Sequence, residues 1–199
     1  MRSKVAIAIL AAGRSTRMGT FNKLLSVIGD VSLVRLSAAR AVACKRGPVI
    51  VVTGHMADEI SEEVSGLPVT LVHNDEYASG LSSSIRRALQ AVNEDCAGIL
   101  IHLADMPLVR ENHFIELIDA FERHNGEFIV RATAFGEPGN PVVLPRSLFA
   151  DLLELEGDAG ARRLIAKIGI PVTEVEIGRA ASCDVDTPAA LEAAGGRHP

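Results

Sequence analysis

The chain has 199 residues, 48% hydrophobic and 23% charged, with a formal net charge of −5 and only 4% aromatics. That length suits one domain with a substantial core, and there is no run of about 18 apolar residues to suggest a membrane span. The acidic balance with few rings excludes a nucleic-acid surface built from a basic field and stacking aromatics, and Cys44, Cys96 and Cys183, far apart and without a CxxC pair, support neither a disulfide framework nor a zinc knuckle.

In chain order, MRSKVAIAIL leads into a core-strand pattern instead of a cleavable signal, so a soluble cytoplasmic domain covering 1–199 is expected. Strands are expected at 5–10, 48–54, 68–74, 98–105, 127–133, 140–144 and 171–177. Helices are expected near 32–45, 56–65, 81–93, 110–124, 146–154, 158–168 and 188–194. This alternation predicts a three-layer α/β domain with a mostly parallel sheet, because apolar strands need helices on both faces. The closing GRHP reads as a fraying tail with His198 in solvent.

Ligands of open parallel sheets sit at the carboxyl ends of the strands. The first such loop is LAAGRSTRMGTFNK at 10–23. Ala11, Ala12 and Gly13 present little side chain, so a ligand can approach the backbone N–H groups, while Arg14, Arg17 and Lys23 concentrate positive charge in an acidic chain. Polyphosphate fits that pattern, since Arg offers a fork and Lys a mobile point charge; a basic surface loop is the simpler alternative. A P-loop is excluded because five residues separate Gly13 from Gly19 and Thr20 follows, and GxGxxG fails at Ser15. No HExxH or paired ligand spacing joins His55, His73, His102, His113 and His124, and no GxSxG elbow or cysteine-centred triad can be read.

Two acidic stretches follow. Asp105 closes the apolar run GILIHLAD and is followed by Met106-Pro107, which stops the strand. An acid at a strand end facing a phosphate loop suits Mg²⁺, a hard ion that takes carboxylate and phosphate oxygens; a distant helix N-cap is the competing role. Asp184 and Asp186 are two apart in an extended pattern and would share a face. Asp186 or Thr187 before Pro188 also makes a helix start.

The run LAAGRSTRMGTFNKLL resembles nucleotidyltransferases with the signature LAAGxSxRMGxxK and a leucine pair. The resemblance continues through VTGH at 52–55, NDEYASGLSSSI at 74–85, LADMP at 103–107, GEPGNPVVL at 136–144, GDAGAR at 157–162 and DVDTPAAL at 184–191. Within that group the chain looks most like the molybdenum cofactor cytidylyltransferases and related MobA-like proteins. The fold implied is a three-layer, mostly parallel Rossmann-like sheet of the nucleotide-diphospho-sugar transferase type with one antiparallel strand.

The activity implied is Mg²⁺-dependent transfer of CMP from CTP to the terminal phosphate of molybdopterin, releasing pyrophosphate. The resemblance implies that Leu10, Ala11, Ala12 and Gly13 line the nucleotide, that Arg17 and Lys23 hold the triphosphate, and that Asp186 joins Asp105 at the metal. It also implies nucleotide contacts by Gly80 and Ser84, for which helix capping is the alternative, while Asn74 after the third strand is a further candidate with turn formation as its alternative. The resemblance further implies that the stretch 136–141, which cannot be a helix, and the stretch around Asp158 and Arg162 border the acceptor, though Arg162 suits an intrahelical salt bridge equally. CTP over GTP is implied by LAAG where guanylyl relatives have LAGG, and by FNK in place of a GxDK-like ending. Two rival readings remain: a nucleotidyltransferase that uses GTP or another NTP, or another phosphorylated acceptor such as a sugar phosphate, and an accessory protein that hands cofactor to a recipient molybdoenzyme without turnover.

Overall fold

The structure, a computed structural model, describes residues 4–15, 21–154 and 169–197. Its spine is β1 (Lys4–Leu10), where Val5 to Leu10 are all buried. Side chains of a strand alternate between its two faces. Val5, Ile7, Ile9 and Ala11 accordingly enter one apolar layer, and Ala6, Ala8, Leu10 and Ala12 enter the other. This two-sided burial explains why the stretch reads as continuously apolar.

Two short strands, β2 (Val27–Ile28) and β3 (Val31–Ser32), precede helix α1 (Leu33–Ala43), which is capped by the Ser32 hydroxyl. Then come β4 (Val49–Thr53), α2 (Ala57–Glu63), β5 (Val69–His73), α3 (Leu81–Gln90), β6 (Cys96–Leu103) and α4 (Glu111–Arg123). The chain continues with β7 (Ile129–Ala134), β8 (Glu137–Pro145), α5 (Phe149–Leu153), β9 (Val172–Glu176), α6 (Pro188–Ala193) and β10 (Gly196–Arg197). Among the described residues the main sheet has seven strands in the order β5-β4-β1-β6-β8-β7-β9. All neighbours are parallel except β8, which runs against both β6 and β7. The expected mostly parallel three-layer sheet with one antiparallel strand is therefore present.

Helices α1, α2 and α4 cover one face, with Val34, Ile60, Phe114 and Phe121 in the same core as Ile7 and Ile9. The other face is covered by α3 and α5, with Ile85, Leu89 and Leu152 packed near Ala8 and Ile50. No helix among the described residues is long and apolar enough to cross a membrane.

One expectation is corrected. Gly196–Arg197 is not a frayed end: it pairs antiparallel with Val27–Ile28, completing a three-stranded sheet β10-β2-β3, and Arg197 reaches Asp30 at 3.0 Å. A small core of Leu33, Val185 and Leu191 lies beside it, with Ile28 and Ala194 packed on. Two-residue strands carry too short a pattern to be read from sequence. The expected helix at 158–168, with Asp158 and Arg162, lies outside the described residues, as do Arg17 and His198.

Candidate active site

The parallel strands deliver their carboxyl ends to one edge of the sheet, and the loops there are tied together by backbone hydrogen bonds. Ala11 N–H donates to Val52 at 2.9 Å, His55 N–H to Ala12 at 3.2 Å, Ala104 N–H to Leu10 at 3.2 Å and Asn74 N–H to Thr53 at 2.9 Å. A cavity of about 540 Å³ opens at this edge, walled by Leu10, Ala12, Gly13, Tyr77, Gly80, Ser84 and Leu103 and bounded by Lys23, Asp105, Asp184 and Asp186. Gly54 keeps it tight: a Cβ there would come within 2.7 Å of the Tyr77 Cβ and 2.8 Å of the Ala12 Cβ.

The two acidic stretches are fixed independently and then joined. After β6 the turn through Asp105 is clamped by α1, where Ser37 Oγ donates to the Ala104 carbonyl at 3.1 Å and Arg40 to the carbonyls of Pro107 and Val109 at 2.6 and 2.7 Å. Helix α4 begins only at Glu111, with Arg110 at its cap position, so Asp105 does not cap it. Val185 N–H donates to the Asp105 carbonyl at 2.9 Å and its side chain is fully buried. With Val185 turned inward, Asp184 and Asp186 point outward together. Thr187 takes the capping task of α6, its hydroxyl accepting from Ala190 N–H, with Pro188 at the first turn. One carboxylate oxygen from each of Asp105, Asp184 and Asp186 then lies within 4.8 Å of the others.

Lys23 faces this cluster. Its ammonium pairs with Asp105 Oδ2 and with Asp186 Oδ1, the side chains of Lys23 and Asp105 being only 13% and 14% exposed. The backbone of Lys23 is held by the opening loop, its N–H donating to Ser15 Oγ at 3.1 Å, while Asn22 caps the following turn by accepting from Leu24 N–H at 3.1 Å. Burial works to lower the Lys23 pKa, but Asp105 and Asp186 outweigh it and hold the ammonium above its ordinary value. Burial pushes the Asp184 carboxyl up, and the charges of Asp186 and Asp105 add to the rise. Asp105 Oδ1 is buried and has no hydrogen-bond partner among the described residues.

The MobA-like NTP transferase domain family matches residues 7–172. The chain belongs to that family. This MobA-like chain is a nucleotidyltransferase by that membership. It is 28% identical to the molybdenum cofactor cytidylyltransferase of Escherichia coli strain K12 over 192 residues, 94% of this chain and 93% of that one. It is also 26% identical over 137 residues to the bifunctional protein GlmU of Desulfotalea psychrophila, of which it spans only 40%. Among solved structures, the Mycobacterium sp. strain JC1 homologue of Mycobacterium tuberculosis rv0371c superposes with a TM-score of 0.84 at 32% identity, covering 97% of this chain and 96% of that one. Rv0371C of Mycobacterium tuberculosis H37Rv, solved in complex with manganese, gives 0.78 at 26% identity, covering 96% and 97% of the two chains.

Within the MobA-like chain the sequence-predicted residues divide. Leu10, Ala12, Gly13, Lys23, Gly80, Ser84, Asp105 and Asp186 meet at the cavity. Ala11 faces the opposite core and is fully buried, because strand alternation sends only every second residue toward the cavity. Asn74 is also fully buried and lies behind the wall: its amide donates to Ser83 and Ser84 at 2.9 and 3.0 Å, and its Oδ1 accepts from Glu76 N–H at 3.0 Å. Arg14 is exposed with its guanidinium 5.8 Å from the Tyr77 ring centroid. Tyr77 and Leu103 also line the cavity and were not named individually from the sequence. Tyr77 is the chain's one tyrosine and lies between Asn74 and Gly80 in the quoted motif, a position that could have pointed to it.

Proposed function

We propose that the chain transfers CMP from CTP to the terminal phosphate of molybdopterin in a Mg²⁺-dependent reaction that releases pyrophosphate. The observation that carries the reading is the juxtaposition of Lys23, Asp105, Asp184 and Asp186 beside a small-residue loop at one cavity. Similarity to the E. coli cytidylyltransferase along almost all of both chains supports the acceptor, and the manganese in Rv0371C supports a divalent ion.

The donor set fits Mg²⁺: hard carboxylate oxygens converge, and one of them, Asp105 Oδ1, is buried without a partner among the described residues. Asp105 and Asp186 would hold the ion, with Asp184 beside them. When bound, Mg²⁺ neutralises phosphate charge and helps align the α-phosphate. The chain supplies the rest by positioning and electrostatics. Gly13 and its neighbours let the triphosphate approach backbone N–H groups, Lys23 and Arg17 counter its charge, and the start of α3 at Gly80 and Ser84 contacts the nucleoside. Ala12 and Leu10 lie under the base, while Ala11 and Asn74 act from behind by fixing the loop and the serine pair. The acceptor phosphate is its own nucleophile, so no residue is needed as general base.

Purified protein incubated with Mg²⁺, molybdopterin and each NTP in turn tests the reading. Pyrophosphate release with CTP is expected; release with no nucleotide defeats the enzyme assignment, and faster release with GTP defeats the choice of base. Turnover only with another phosphorylated acceptor, such as the sugar phosphate of the rival reading, would replace molybdopterin.

A further inference from the structure

A carboxylate that is mostly buried is costly unless a cation accompanies it. Three carboxylates crowd at the carboxyl edge of the sheet, and among the described residues the Lys23 ammonium pairs with two of them. It bridges Asp105 and Asp186, the same pair that the proposed function assigns to the metal. A divalent ion held by both carboxylates and the ammonium of Lys23 therefore want the same place.

Lysine suits temporary occupancy, being a point charge on a flexible four-carbon stem. The backbone beneath it is fixed: Lys23 N–H is held by Ser15, and the Lys23 carbonyl accepts from Ser26 N–H at 3.1 Å. The ammonium can thus leave the carboxylates by side-chain rotation alone, with no rearrangement of the loop. The same cavity is lined by Gly13 and Ser15 of that loop, so a triphosphate bound there offers the ammonium an alternative anionic partner.

We infer that Lys23 is the resident counter-ion of the carboxylate cluster in the nucleotide-free enzyme, and that a divalent ion gains full access to Asp105 and Asp186 only when a triphosphate draws the ammonium away. This rests on the metal assignment in the proposed function. Its consequence is that metal and nucleotide enter as a coupled pair, and that free metal alone binds the resting enzyme weakly.

The probe is Mn²⁺ alone, titrated into the nucleotide-free full chain and followed by electron paramagnetic resonance, with thermal melting in parallel. Lys23→Met is expected to bind Mn²⁺ at least about tenfold more tightly than wild type. The same variant should melt below wild type without metal and regain its melting temperature as Mn²⁺ is added, and Lys23→Met/Asp105→Asn should lose both gains. Equal or weaker Mn²⁺ binding by Lys23→Met, or melting indifferent to Mn²⁺, overturns the inference. As a check that needs no variant, inorganic tripolyphosphate without metal should shift the ¹⁵N-ammonium signal of Lys23 in wild type, and an unmoved signal overturns the inference as well. Failure of wild type to bind Mn²⁺ even with CTP present would remove the metal assignment itself, and the inference with it.

Discussion

Val185 and Asp105 are joined by one backbone hydrogen bond, 2.9 Å from the amide of the first to the carbonyl of the second. It sets the late acidic segment against the end of β6, while the buried Val185 side chain anchors that segment to Leu33 and Leu191. The C-terminal helix and the small sheet therefore determine where Asp184 and Asp186 stand. Leu191→Ala removes a nearly fully buried side chain from this three-residue core and should cost about 2–5 kcal/mol, released mainly as local opening. Hydrogen exchange should accelerate across 184–197, and the Mg²⁺ concentration for half-maximal turnover should rise. An unchanged metal requirement would separate the small sheet from the site.

Asp105→Ala and Lys23→Ala should each retain the fold and lose at least about tenfold in turnover, equivalent to roughly 1.4 kcal/mol. Circular dichroism with a pyrophosphate-release assay checks both halves. Wild-type rates in either folded variant would defeat the assignment.

Gly54→Ala places a methyl group 2.7 Å from the Tyr77 Cβ and 2.8 Å from the Ala12 Cβ, closer than van der Waals contact allows. Either the ring or the opening loop must shift. Nucleotide affinity measured by calorimetry should fall by at least about tenfold, within the 1–3 kcal/mol typical of overpacking.

His102 lies in β6 fully buried, edge-on to Phe114, and neither ring nitrogen has a hydrogen-bond partner among the described residues. Burial, aided by the charge of Arg40, pushes its pKa from 6.5 down to about 3. Between those values the unfolded chain binds a proton that the folded chain refuses, so stability falls as pH drops, by up to about 1.4 kcal/mol per pH unit. His102→Leu removes this loss. Chemical denaturation at pH 7 and pH 5 should show wild type losing about 2 kcal/mol more than the variant, and parallel losses would refute the origin in His102.

Glu176 accepts from Phe135 N–H at 2.9 Å, Gly136 N–H at 3.0 Å, Gly178 N–H at 2.8 Å and Thr133 Oγ1 at 2.9 Å. The amide of Gly136, then that of Phe135, leads in drawing its pKa from 4.5 down to about 2. Its contribution is complete above the unfolded value and is lost as pH falls through about 2. The turn it holds is strained, since Phe135 has a φ of 55°. Glu176→Gln should melt below wild type at pH 7, with the gap closing near the acid limit. A gap independent of pH would deny the carboxylate this role.

Much of the fold was legible because its signals are long. β1, β4 and β6 are continuous apolar runs that need two covered faces, and each observed strand of the main sheet falls on an expected one. The site was legible in part for a similar reason: Asp105 follows a strand, and the spacing of Asp184 and Asp186 sends both one way. What could not be read depends on partners distant in sequence. β10 is a strand because Gly196–Arg197 meets Val27–Ile28, far away in the chain. Whether Ala11 or Ala12 faces the cavity turns on the face that each strand residue takes, and the inward placement of Asn74 turns on two serine hydroxyls that accept from it. The pairing of Lys23 with both Asp105 and Asp186 needs the whole fold.

The reversed course of β8 has a consequence for how such a domain can diversify. β7 ends at the same edge as β1 and β6, and because β8 runs back from there, the Phe135–Gly136 hairpin lies on that rim. Residues added to the hairpin tip would lengthen one side of the rim while leaving strand register, the opening loop and the acidic cluster as they are. The grip on charge and the shape of the rim can therefore change independently, so one scaffold can keep its chemistry while its partner molecules are exchanged.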